Sequence, residues 1–120
     1  MENQFRAVPD GQYTQTIYSL LRDGKYNDVI NILVNELQFS TRNRAGLSLL
    51  GYSYFQIQDY GNAADCYDQL TKFFPDCDSF NSYKLYHAQC LYKAAFYQDA
   101  LKVLQQIENS DDFSEKILQL

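Results

Sequence analysis

The chain has 120 residues, with 15 acidic and 10 basic side chains, a net charge of −5 and a pI near 4.6. That balance gives no cationic face for a nucleic-acid backbone, and no apolar run approaches the ~20 residues a membrane-spanning helix needs. Only 5 Gly and 2 Pro, beside 11 Tyr and 8 Phe, argue against a turn-rich all-β fold and for one helical domain.

Residues 1–11 are polar and close on Val8-Pro9-Asp10-Gly11, so an extended lead-in is expected there. The opening residues have neither the apolar core of a signal peptide nor a transit-peptide composition, so a cytosolic setting is expected. From Gln12, apolar residues recur at helical spacing through Tyr13, Ile17, Leu20 and Leu21. Asp23-Gly24 interrupts, and the period resumes through Tyr26, Val29, Ile30, Leu33, Val34 and Leu37. Two short amphipathic helices joined by Asp-Gly make a helical hairpin. A second hairpin pairs 43–57 with 60–73 across Gln58-Asp59, and a third pairs 80–95 with 97–108. The polar run at 109–112 reads as a helix start, and Phe113, Ile117, Leu118 and Leu120 as the opening of a seventh helix.

The middle of the chain explains this order. It reads Leu47-x-x-Leu50-Gly51-x-x-Tyr54, then Ala63-x-x-x-Tyr67, then Pro75. That is the pattern of the tetratricopeptide repeat, a helix–turn–helix unit of about 34 residues. Gly51 and Ala63 omit bulk where the two helices cross. Leu47, Leu50, Tyr54 and Tyr67 fill the space around the crossing, and Pro75 ends the second helix. Tyr26, Tyr60 and Tyr97 open equivalent segments, 34 and then 37 residues apart, with the extra residues expected after Pro75. The positions equivalent to Gly51 are Ile17 and Ala88; those equivalent to Ala63 are Val29 and Ala100. The expected fold is an all-α tetratricopeptide-repeat array, an α-solenoid of about three hairpins plus the start of a seventh helix. Its units are 12–42, 43–78 and 79–109, then a partial or capping helix at 111–120. The apolar end favours a longer solenoid interrupted in its fourth hairpin; the other reading is a short protein whose last helix packs on the third.

No catalytic motif stands out, and neither an enzyme site nor a cofactor is expected. Cys66, Cys77 and Cys90 form no C-x-x-C pair, and with a single histidine they make no familiar zinc set, so reduced thiols are expected. His87 falls at the position of Leu50 and should face its hairpin partner. Asp65, Asp68, Asp76 and Asp78 lack calcium-loop spacing and read as a solvated face.

A stack of such hairpins offers a curved groove lined by the first helix of each unit. The side chains expected there are Thr14, Tyr18, Leu21 and Arg22, then Ser48, Tyr52, Phe55 and Gln56, then Leu85, Gln89, Tyr92 and Lys93. The core of that set is Tyr18, Leu21, Tyr52, Phe55, Leu85, Gln89 and Tyr92. Such a lining suits an apolar or amphipathic partner segment rather than a highly charged one, and no small-molecule substrate is expected. Chaperone-binding tetratricopeptide proteins grip an acidic peptide with a Lys/Asn/Arg clamp. The corresponding positions here are Thr14, Tyr18, Leu49, Ser82 and Tyr86, and none is a cation or an Asn.

Further residues carry a family resemblance. They are Val8-Pro9-Asp10-Gly11, Ile17-Tyr18-x-Leu20-x-Arg22-Asp23, Arg44-Ala45-Gly46-Leu47-Ser48-Leu49-Leu50-Gly51-Tyr52, Ala64-x-Cys66-Tyr67-x-Gln69-Leu70, and Tyr83-x-Leu85-Tyr86-x-Ala88-Gln89-x-Leu91-Tyr92-Lys93-Ala94. Together they resemble the N-terminal part of the fleer-type tetratricopeptide subunit of intraflagellar transport complex B. Thr41 and Asp112 depart from it, standing where a helix-ending proline is expected, and so does the longer loop after Pro75. The resemblance implies a non-enzymatic scaffold of cilium or flagellum and cytoplasm. It would wrap an apolar segment of another complex B subunit and serve cilium assembly and axonemal tubulin polyglutamylation. The other reading is a peptide-binding adaptor of a non-ciliary pathway.

Overall fold

The computed structural model describes residues 10–39 and 42–107. The expectations for residues 1–9, for Thr41, and for a further helix from 111 lie outside the described residues, as do the side chains of Tyr13 and Thr14.

Six helices follow one another: α1 (Asp10–Arg22), α2 (Tyr26–Phe39), α3 (Arg44–Gln56), α4 (Tyr60–Phe73), α5 (Phe80–Lys93) and α6 (Tyr97–Leu104). No strand occurs among the described residues, and each helix packs on its neighbours in sequence. The chain is thus a tetratricopeptide-like array of helical hairpins. α1 takes in Asp10 and Gly11, where the sequence suggested an extended approach.

The three hairpin turns share one backbone solution. Gly24, Gln58 and Ala95 hold φ of 72°, 65° and 70°. In each turn the next amide reaches back five residues, as Lys25 N–H to Leu20 C=O, Asp59 N–H to Tyr54 C=O and Phe96 N–H to Leu91 C=O. A second bond runs from Gly24, Gln58 and Ala95 N–H to the carbonyls of Leu21, Phe55 and Tyr92. This is the left-handed helix stop that satisfies the last carbonyls of one helix and turns the chain into the next. After the second stop, Asp59 accepts from the amide of Asn62 and caps α4. Asn43 does the same for α3 through the amide of Gly46, at 3.0 Å.

The crossing positions are buried in every hairpin. Ile17, Val29, Ala63 and Ala88 have no exposed surface, and Gly51 and Ala100 are buried with them. The core runs through the array as three clusters. The first joins Ile17, Val29, Ile30 and Leu33 to Leu50 and Cys66 of the next hairpin. The second joins Leu47, Ala63, Ala64, Tyr67 and Leu70 to Tyr83 and Cys90 of the third. The third holds Leu85, Ala88, Val103, Leu104 and Ile107. The first two clusters each draw on two hairpins, which is the stacking logic of solenoid repeats, and the third lies within the last hairpin.

Candidate functional site

The first helices of the hairpins bring one continuous groove together. Its central cavity, about 420 Å³, is lined from α3 by Ser48, Leu49, Tyr52, Phe55 and Gln56. Tyr86 and Gln89 of α5 form the opposite wall, with Tyr67 of α4 at the floor. A second cavity of about 430 Å³ shares Ser48 and Leu49 and extends the groove to Tyr18 of α1, with Arg44, Ala45 and Tyr83. The helical period explains the wall: Ser48, Tyr52, Phe55 and Gln56 are three or four residues apart and share one face of α3.

Aromatic contacts fix the shape of that wall. Tyr52 meets Tyr26 edge-on with ring centroids 6.2 Å apart, and Phe55 meets Tyr60 at 5.3 Å. Tyr67 packs on Tyr86 at 5.4 Å and on Tyr83 at 6.5 Å. Burial pushes the Tyr67 phenol well above its usual range, and burial followed by the neighbouring Tyr26 raises Tyr52. Both hydroxyls are therefore neutral at physiological pH, and the central cavity has no charged side chain. Such a surface presents apolar area with hydroxyl and amide edges, as sites for amphipathic polypeptides do.

The residues expected to line the groove separate into three groups. Tyr52, Phe55 and Gln89 meet in the central cavity, and Tyr18, 56% exposed, stands in its extension. Tyr92 is exposed but lines neither cavity; it packs edge-on against Tyr97 at 5.2 Å beside the third turn. Leu21 lines neither cavity, and Leu85 is a correction. Leu21 is half-buried against the first core cluster. Leu85 is buried with Val103, Leu104 and Ile107. A leucine gains about 1.5–3 kcal/mol on burial, so it turns to that apolar wall, whereas Ser48 at the equivalent place stays beside the groove. Tyr86, one position on, takes the groove side instead. Leu49 and Tyr86 hold equivalent positions 37 residues apart, and that repeat was the signal for them. Arg44 and the floor residue Tyr67 had no such signal.

A larger cavity, about 720 Å³, opens between α4 and α6. Asp59, Asp65, Asp68, Asp99, Lys102 and His87 are among its lining residues. Its acids are partly engaged: Asp59 caps α4, and Asp68 pairs with Lys72 at 2.8 Å. No group of three acids, cysteines or histidines among the described residues could hold a metal ion. His87 is half-buried, as its position opposite the hairpin partner suggested, and burial lowers its pKa. The polar, open character of this cavity makes the aromatic groove the better candidate site.

No protein-family model matches the chain. Known proteins do. Intraflagellar transport protein 70A of Xenopus tropicalis is 50% identical over 115 residues, 96% of this chain. The Danio rerio protein of that name is 44% identical over 111 residues, and the Homo sapiens one 42% over 113. The chain is similar to intraflagellar transport protein 70. It spans 17% of the Xenopus and Danio relatives and 16% of the human one. Similarity to intraflagellar transport protein 70 over some 95% of the chain agrees with the family resemblance of the 44–52 and 83–94 stretches.

Proposed function

We propose that this chain is part of a scaffold subunit of the intraflagellar transport machinery, and that its first-helix groove holds an apolar segment of another complex B subunit. The observation that carries the reading is 50% identity to intraflagellar transport protein 70A over nearly all the chain. The uncharged aromatic lining of the central cavity supports it, because it offers apolar area and no catalytic group. On this reading residues 12–42, 43–78 and 79–109 are three repeat units, each adding a strip of groove. The protein works in cilium or flagellum and cytoplasm, without catalysis of its own, and serves cilium assembly and axonemal tubulin polyglutamylation through the complex it joins.

The test is affinity capture from ciliated cells with a full-length version of the protein. Complex B subunits are the expected catch. Tyr52→Asp or Phe55→Asp places a charge against the apolar segment and should cut recovery about tenfold or more. Recovery of some other, non-ciliary partner would make the chain an adaptor of another pathway. Unchanged capture by both variants would remove the groove from the reading.

A further inference from the structure

One cation stands in the groove, and its placement is unusual. Arg44 is the first residue of α3, and no acidic residue shares that first turn. A cation at a helix N-terminus opposes the helix dipole, so local helix chemistry does not account for it. Its guanidinium is nonetheless held in a fixed pose. Nε donates to the hydroxyl of Tyr83 at 3.0 Å, and Nη2 donates to Oγ of Ser79 at 3.3 Å. Tyr83 is buried, so its hydroxyl is a fixed anchor for the guanidinium. Neither acceptor is a carboxylate; Asp78, next to Ser79, is near enough to favour the charged guanidinium, but among the described residues no carboxylate reaches ion-pair distance of Arg44. A guanidinium has five N–H donors, so the rest of the fork remains free at the cavity wall.

We infer that the segment held in this groove carries a carboxylate side chain that pairs with Arg44, beside apolar side chains that seat against Tyr52 and Phe55. The inference rests on the groove reading above and adds a polarity to it. The central cavity has no charge with which to orient a segment, so a single fixed cation at one end sets its direction. Arg44 stands in the extension of the groove and Tyr52 in its central cavity, so the acid and the apolar anchor sit at separate places along the segment. Arg44 is not at any clamp position of the chaperone-binding proteins, and the acid it reads is a side chain within an apolar segment.

The experiment is selection from a random 12-residue peptide display library against the full chain, in parallel with Arg44→Glu, Arg44→Gln and Tyr52→Asp. The native protein should enrich apolar peptides with Asp or Glu at a fixed spacing from an aliphatic or aromatic anchor. Arg44→Glu should keep the anchor and enrich Lys or Arg at the same place, and Arg44→Gln should keep the anchor with no charge preference. One selected peptide, resynthesised, should bind Arg44→Glu about tenfold more weakly than the native protein and lose affinity with salt. Apolar peptides without an acid preference, or an acid preference that survives in both Arg44 variants, would overturn the inference while leaving the groove intact. Peptides that bind Tyr52→Asp as well as the native protein, or no enrichment at all, would overturn the groove itself. Arg44→Gln retains donors for Tyr83 and Ser79, so it separates charge recognition from any loss of folding in Arg44→Glu.

Discussion

A β-carbon added to Gly51 would lie 3.0 Å from Cζ of Tyr67, and 3.2 Å from Cβ of Cys66. The two helices of the second hairpin are therefore in backbone-to-ring contact at their crossing. Tyr67 cannot retreat, because its ring is buried and backed by Tyr86. Gly51→Ala gains about 1 kcal/mol of helix propensity but overpacks the crossing by about 1–3 kcal/mol. The expected result is a net loss of about 1 kcal/mol in urea unfolding. Gly61→Ala is the control: nothing lies within 4 Å of its added carbon, so a gain of about 0.5 kcal/mol is expected there.

The helix stops make a second prediction. Gln58 and Ala95 occupy the left-handed conformation that Gly24 occupies in the first hairpin. A side chain there costs about 1–2 kcal/mol, offset in glycine by its larger unfolded-state freedom. Ala95→Gly and Gln58→Gly should each raise the unfolding midpoint by an amount worth about 0.5–1 kcal/mol, with an unchanged m-value. Gly24→Ala should lower it. A loss of stability in both glycine variants would show that the turns are set by something other than this backbone geometry.

Thiol chemistry separates the cysteines. Burial pushes both Cys66 and Cys90 up to about 12, with the nearby Asp65 charge adding to Cys66. At pH 8 only about one molecule in ten thousand carries either thiolate. Cys77 is half-buried in the loop after Pro75. A disulfide reagent at pH 8 should therefore titrate one thiol quickly, and Cys77→Ser should abolish that phase. The other two should react at the rate at which the array opens. Fast reaction of all three would contradict the burial.

His87 predicts a pH dependence. Burial lowers its pKa, with partial opposition from Asp68, and its Nδ1 is enclosed without a hydrogen-bond partner. The unfolded chain therefore binds the imidazole proton more readily than the folded one. Stability contributed by the neutral ring is full above about pH 6.5 and falls as pH drops below it. His87→Leu, which copies Leu50 at the equivalent position, should unfold at higher temperature than the native protein at pH 5, with a smaller difference at pH 7.5. Parallel pH profiles for the two proteins would assign the acid slope to other groups.

The hairpin order was legible because steric need at a helix crossing is written in residue size. Gly51, Ala63, Ala88 and Ala100 announce it, and the Tyr26, Tyr60 and Tyr97 series gives the period. The groove was less legible. Ser48, Tyr52, Phe55 and Gln56 follow from the phase of α3. Leu21 and Leu85 do not, because an aliphatic side chain at the edge of a helix face settles wherever apolar surface is nearest, and that surface belongs to another helix. Arg44 was opaque for a related reason. Its partners Ser79 and Tyr83 lie 35 and 39 residues away, and only the stacking of the second hairpin on the third brings them near.

Because Leu50 and Cys66 complete the first core while Leu47 and Ala63 begin the second, the middle hairpin has no seam at which the chain could be parted without spoiling two interiors. A lesion at Gly51 or Leu50 is therefore felt in both neighbouring interiors at once. The groove's densest aromatic stretch sits on this same hairpin, so the surface offered to another chain is mounted on a segment tied into two cores.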